Sequence, residues 1–325
     1  MKNKIEISYY RPTLSKRLFS RIVDALILVL FSLGLFVSIK AIYSNTDNVK
    51  NAQQTLVNVR VDSGIYDYKN NELINVATIC YQDTKMSYSQ KETYLLERLD
   101  KFFSYIKGYS EESYLKVKND YDEFRLSSSL SYNNNPLFIK ENDEIIKNTS
   151  VDIPIKSYVE DCYSVYIDTN CNGFLTSEIK EYYDSNKLIA HLTFFLNIPI
   201  SVFISSILVF LVPPLIFKRG RKTIGMLIYH IGFVNKELYN LTLKQFFLKF
   251  LIFYFFEFLL SIVTFGIPLL ISLTMMLTTK NKQNFNEYML NIQEISTLDS
   301  TIYNDKSEAT IANLNYDEHV NFKMK

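Results

Sequence analysis

The stretch LIAHLTFFLNIPISVFISSILVFLVPPLIF, Leu188 to Phe217, runs for 30 residues without one Asp, Glu, Lys or Arg. A helix rises about 1.5 Å per residue and a bilayer core is about 30 Å thick, so roughly 20 apolar residues cross it. This stretch therefore reads as a membrane span. Pro199 is expected to break its outer part and Pro213-Pro214 to end it. Thr193, Asn197, Ser201 and Ser205 recur every four residues and form a polar stripe. Such a stripe serves either helix packing through small polar groups or a hydrophilic path.

Two further apolar runs flank this one. LILVLFSLGLFVSI, Leu26 to Ile39, sits in an uncharged window bounded by Asp24 and Lys40. A secretory signal is the rival reading. No small-x-small cleavage site follows Ser38, and Asp24 is foreign to a signal core, so an uncleaved first span is expected. The third run, Phe250 to Thr279, holds a single charge, Glu257. As one helix it would reach about 45 Å, too long for one upright span. Gly266-Ile267-Pro268 lies just past its middle, so two short helices over 246–264 and 268–279 are expected, folded as a hairpin.

Charge sets the orientation. Residues 1–21 carry six Lys/Arg against one acid, and 218–249 carry seven against one, while 43–187 carry 16 against 23 acids. The positive-inside rule then places both basic segments in the cytoplasm. The expected map has a cytoplasmic N-terminus (1–17), a first transmembrane helix (18–42), an extracytoplasmic insertion (43–187) and a second transmembrane helix (188–217). A cytoplasmic loop (218–245), a third apolar region (246–279) and a cytoplasmic polar tail (280–325), partly disordered from about residue 295, complete it. The fold class is an all-α membrane protein: a small transmembrane helix bundle with a mainly helical extracytoplasmic insertion between the first two spans. The location is the cell (plasma) membrane, crossed several times. With no Trp in the chain, Tyr43 and Tyr254 are the candidates for an aromatic belt. A soluble cytoplasmic enzyme is excluded. A nucleic-acid binder built on a basic face is also excluded, because the net charge is only +1.

Within 43–187, Leu95, Leu96, Leu99, Phe102, Phe103 and Ile106 follow helical spacing, punctuated by Ser89 and Gly108. Tyr114, Leu115, Val117, Tyr121 and Phe124 suggest a second helix over 110–126. The Ser- and Asn-rich stretch 127–150 reads as loop. Cys162 and Cys171 are either a disulfide or, with Cys80, free thiols. Asp168, Asn170 and Asn172, followed by Gly173, place oxygen donors at the first, third and fifth positions of a calcium loop. Ile179 stands where the closing Glu belongs, and Glu178 comes one residue early. The other reading of this segment is an Asn/Gly turn that caps the next helix.

At the cytoplasmic boundary Arg17, Arg21 and Asp24 share one helix face, and Arg21 is expected to pair with Asp24. Glu257 lies inside the last apolar run. Intramembrane carboxylates mark ion paths or bind a structural partner, so Asp24 and Glu257 are the candidate ion carriers.

RLFSRIVD, Arg17 to Asp24, resembles the first-helix signature of the RDD family of bacterial membrane proteins. After the second span the family has a segment similar to GxTxGK. Arg221-Lys222-Thr223-Ile224-Gly225-Met226 occupies that place, with Thr223 and Gly225 matching, Arg221 at the first Gly and Met226 at the Lys. Ile231 to Asn235 follows as a strand-like or helical stretch. LTLKQFFLKF, Leu241 to Phe250, is similar to the family's approach to its last apolar region, with Lys249 for a typical Arg. Glu287, in Phe285 to Leu290, stands in for the Asp of the closing motif. The resemblance covers roughly 14–42 and 190–292 and leaves out 43–187. It implies a membrane protein of loosely defined function, with transport, including sodium–proton exchange, suggested for some members.

Two functions of different class follow. One is movement of an ion or small solute. The other is a membrane-anchored sensor or accessory subunit whose outer domain binds a ligand or partner. Enzyme chemistry has no support: GxSxG, HExxH and P-loop patterns are absent, and His191, His230 and His319 are scattered. No cofactor is expected. The expected partners are the lipid bilayer, a cation as cargo, and a second copy or another membrane protein, with no nucleic acid.

Overall fold

The computed structural model describes residues 9–298 and 300–312. The chain is mostly helical, and its only sheets among those residues are two-stranded. Three helices are long and apolar enough to cross a membrane: Leu14–Ser44, Lys180–Ile216 and Leu243–Val263. The chain divides into two compact units. One is Ala41–Phe195; the other joins the residues before 41 to those after 195.

The unit Ala41–Phe195 has its own core. Helices Tyr88–Tyr109 and Glu111–Arg125 match the expected spacing, and Leu95, Leu99, Phe102, Ile106 and Val117 are buried. The first begins at Ser87 rather than Ser89, because Ser87 and Gln90 form a reciprocal capping box. Its last turn carries Gly108. Tyrosines fill much of the interior: the Tyr121 and Tyr166 rings lie 4.7 Å apart, and the Tyr166 hydroxyl donates to the Val117 carbonyl at 3.1 Å.

The sequence reading of 127–150 as loop is corrected by two small hairpins, Ser131–Tyr132 with Asn135–Pro136 and Phe138–Glu141 with Glu144–Lys147. A third pairs Tyr66–Lys69 with Glu72–Asn75. Each turns on two adjacent Asx residues in the left-handed region: Asn70-Asn71, Asn133-Asn134 and Asn142-Asp143. Two positive φ values in a two-residue loop define the turn whose twist suits a hairpin, and Asn and Asp tolerate it best after glycine.

The calcium loop is also corrected. Residues 155–178 form consecutive α- and π-helical turns, so Asp168, Asn170 and Asn172 lie along a helix and cannot wrap an ion. Asn170 donates to Asp120 at 3.1 Å, and Asn172 donates to the Asp168 carbonyl at 2.8 Å. Glu178 accepts from Ser113 at 2.9 Å and from Lys116 at 2.5 Å, and the Lys116 ammonium holds its carboxyl below the usual range. Cys80, Cys162 and Cys171 are buried free thiols, so the Cys162–Cys171 disulfide is not formed.

In the other unit the second apolar helix is not broken at Pro199. A π-helical turn, Leu192–Asn197, comes just before it, and another, Ile207–Leu211, comes before Pro213-Pro214. A wider turn absorbs the missing N–H and the clash of the proline ring with the preceding turn. The polar stripe packs: Asn197 donates to the Phe36 carbonyl of the first helix at 3.1 Å, and Ser201 donates to Asn197 at 3.1 Å. On the Ala41–Phe195 side of the same helix, Thr193 and the Tyr43 hydroxyl are 3.3 Å apart. Tyr43 and Tyr254 are both buried, and Tyr254 packs on Phe203 and Phe250, so neither is a belt residue.

The third run divides as expected, into Leu243–Val263 and Ile267–Thr278. Gly266 takes φ +89° at the junction, a conformation that L side chains rarely adopt, and Pro268 starts the next helix. Ile267–Thr278 has 12 residues, about 18 Å, short of a bilayer core. The tail does not become irregular at 295. Gln293–Ser296 pairs antiparallel with Ile231–Val234, and Ile302 and Ala309 are buried. The disorder expected of the chain beyond 312 lies outside the described residues.

Candidate functional site

Three remote segments meet on the first helix. Arg17 and Arg21 stand one turn apart, so both guanidiniums reach the same two acids. Arg17 bridges Glu287 at 3.1 Å and also pairs with Glu294 through Nε, and its Nη1 donates to the Lys282 carbonyl. Arg21 bridges Glu287 and Glu294, each at 3.0 Å. Glu287 is presented by the helix Phe285–Leu290, whose capping box it forms with Asn284. Glu294 is presented by the strand Gln293–Ser296, opposite Phe233.

The expected Arg21–Asp24 pair is replaced by another arrangement. Asp24 Oδ2 accepts from the Thr223 hydroxyl at 2.6 Å, and Oδ1 accepts from the Gly225 N–H at 2.8 Å. Thr223 caps the short helix Ile224–Ile228, so Asp24 closes the orphan donors at its start. Arg21 has two carboxylates of its own. Gly225 is fixed by proximity: a Cβ there would lie 2.0 Å from the Ser20 carbonyl oxygen. Arg221 takes φ +47°, the left-handed region, at the position where the family pattern carries glycine.

Glu257, 3% exposed, accepts from the Asn286 backbone N–H at 3.0 Å. Lys249 lies over the Phe233 ring, 4.0 Å from its centroid. These groups border a cavity of about 380 Å³, whose charged lining includes Arg21, Asp24, Lys249, Glu257, Glu287 and Glu294. The rest of its wall is mostly apolar and rich in phenylalanine. Among the described residues no cluster of His, Cys, Asp and Glu fits a metal ion.

The residues singled out in the sequence thus divide. Arg17, Arg21, Asp24, Thr223, Gly225, Glu257 and Glu287 gather at one end of the helices. Asp168, Asn170, Asn172 and Glu178 lie in the other unit and take separate partners. Glu294 and Asn286 were not foreseen. The available signal for Glu294 was an acid flanked by Ile292 and Ile295, in a stretch able to pair as a strand, and two arginines that needed more than one carboxylate.

Glu287 and Glu294 share two cations but differ in balance. Burial raises the Glu287 carboxyl above the usual glutamate range, and the charge of Glu294 adds to the rise. For Glu294, burial is outweighed by Arg21 and Arg17, which hold it well below that range. A depressed folded-state value contributes stability above the unfolded value, about 4.3, and loses it as pH falls. Thermal melts of the wild type should therefore drop steeply below about pH 4.3. Glu294→Gln should flatten that limb while lowering the melt at neutral pH; an unchanged acid limb would exclude Glu294 as its source.

Gly225→Ala should push the first helix away from Thr223 and cost about 1–3 kcal/mol or more, because the atom met is backbone and cannot turn aside. The expected readout is a loss of folded protein in membranes, matched by Asp24→Ala. Normal amounts of Gly225→Ala would mean that the two helices approach less closely.

The chain matches no protein-family model, no curated protein and no solved structure.

Proposed function

We propose that the chain is an integral membrane protein of the RDD type that moves a cation or small solute across the cell membrane. The carrying observation is convergence. The residues of the three resembling motifs, Arg17/Arg21/Asp24, Thr223/Gly225 and Glu287, are remote in sequence yet meet on the first helix in two neighbouring sets, Arg17/Arg21 with Glu287 and Asp24 with Thr223/Gly225, beside a cavity. Support for the orientation comes from the Lys/Arg excess at 1–21 and 218–249, which puts those segments in the cytoplasm and Ala41–Phe195 outside. Buried carboxylates are costly in a membrane protein and are kept where they bind or pass charge. Asp24 accepts from two donors, one on each carboxylate oxygen, and acts structurally. Glu257 lies inside the third apolar run, accepts from the Asn286 backbone N–H and borders the cavity, which makes it the candidate carrier.

The second reading, a sensor or accessory subunit, is favoured by the separate core of Ala41–Phe195, larger than a connecting loop needs.

Cation flux into proteoliposomes separates the two. Glu257→Gln preserves side-chain shape and removes the exchangeable charge. The expected result is near-normal abundance with pH-dependent flux lost. Flux per molecule that persists, or no flux from the wild type, favours the sensor. Reporter fusions at residues 100 and 230 should read outside and inside respectively; the reverse pattern would invert the topology.

A further inference from the structure

The cavity lining holds an orphan acceptor, the Asn286 amide oxygen, and an orphan donor, Arg221 Nε. Glu257 accepts from the Asn286 backbone N–H, and Asn286, 1% exposed and part of the same lining, has a buried amide oxygen without a hydrogen-bond partner. A buried acceptor without a donor is rare and points to a missing group. The Glu257 carboxylate and the Asn286 amide oxygen both accept, which suits a head group that donates, and an ammonium offers three donors and no acceptor.

The remainder of the cavity fixes the body attached to that head. A volume of about 380 Å³ far exceeds one water, whose share of liquid is about 30 Å³. It falls instead in the size range of small-molecule pockets. Phe246, Phe250, Phe253 and Phe258 contribute to the wall, and ring faces attract cations as well as apolar groups. The chain already uses such a face: the Lys249 ammonium sits 4.0 Å from the centre of Phe233 in the same cavity. An inorganic ion would leave that aromatic wall unused.

We propose that this cavity binds an amphiphilic organic cation, a primary ammonium on an aromatic body, with its head on Glu257 and Asn286 and its ring among the phenylalanines. The inference rests on the transport reading only for the idea that a solute enters this unit; binding is measured without flux. Lys249 carries the same sign as the ligand and therefore limits affinity, which gives the test a variant that should improve binding.

The experiment uses the full chain in detergent micelles and isothermal titration with three probes of similar shape: phenethylamine, 2-phenylethanol and 3-phenylpropionate. Sodium chloride is the inorganic control. Phenethylamine should bind about tenfold or more tightly than the alcohol, as expected when a charge-assisted hydrogen bond replaces a neutral one. 3-Phenylpropionate should not bind. Glu257→Gln and Asn286→Ala should each weaken the amine about tenfold, a loss of the size expected for one such bond, and Lys249→Met should strengthen it. Asn286→Ala keeps the backbone N–H that Glu257 uses, so it and Lys249→Met carry the test if Glu257→Gln does not fold. Preference for the carboxylate, weaker amine binding in Lys249→Met, or a response to sodium without one to the amine would each overturn the proposal. Amine binding without flux in proteoliposomes leaves this site standing and removes the transport reading. Cation flux without amine binding does the opposite.

Discussion

The arrangement depends on the cost of burying two guanidiniums. Arg17 is almost wholly enclosed, and Arg21 is partly so. Charges taken out of water need close partners, and breaking such a set by removing one member typically costs about 3–5 kcal/mol. Glu287 and Glu294 supply those partners from a helix and a strand more than 260 residues away. The strand holding Glu294 must then pair with Ile231–Val234, and that pairing brings the short helix Ile224–Ile228 beside Asp24. One electrostatic requirement thus orders the connections at this end of the apolar helices.

The same end combines rigidity with space. Asp24, Thr223 and Gly225 form a tight contact in which a single added carbon meets a backbone oxygen. A few residues along the helices, bulky phenylalanines leave a cavity of about 380 Å³ bordered by Glu257 and Lys249. Fixed charges beside a partly apolar space can discriminate among solutes by sign as well as shape, because the polar groups are held before a ligand arrives. Proline is accommodated by geometry rather than by breakage. The π-helical turns before Pro199 and Pro213 let the second helix continue, and Glu257 itself lies on another such turn, Phe253–Leu259.

Much of this was legible in the chain. Three uncharged or nearly uncharged runs had to become helices long enough for a bilayer, since no other local structure satisfies their backbone in an apolar medium. The Gly266-Ile267-Pro268 break was equally local: a left-handed residue followed by a proline stops one helix and starts another. The helices around Leu99 and Val117 followed from the 3.6-residue period. The hairpins at Asn70-Asn71, Asn133-Asn134 and Asn142-Asp143 were written there as well, as paired Asx turns between short strands, but the polar composition concealed them.

Partner choice was not legible. Arg21 and Asp24 are three residues apart on one face, and local spacing alone joins them. Tertiary contact gives Arg21 to Glu287 and Glu294 and Asp24 to Thr223 and Gly225, because those groups arrive from far along the chain with better geometry than a neighbour on the same helix. The 168–178 segment has the composition of an ion loop, yet its neighbours Ile167, Cys171 and Leu175 are all buried in the core. Packing therefore holds it as a helix and spreads its oxygens apart. The sequence by itself determined where apolar helices form, where they stop and which residues carry charge into them. Only the tertiary structure decided which charges neutralise one another and which polar groups, Glu257 and Asn286 among them, line the cavity, since pairing depends on distances in space that no sequence spacing sets.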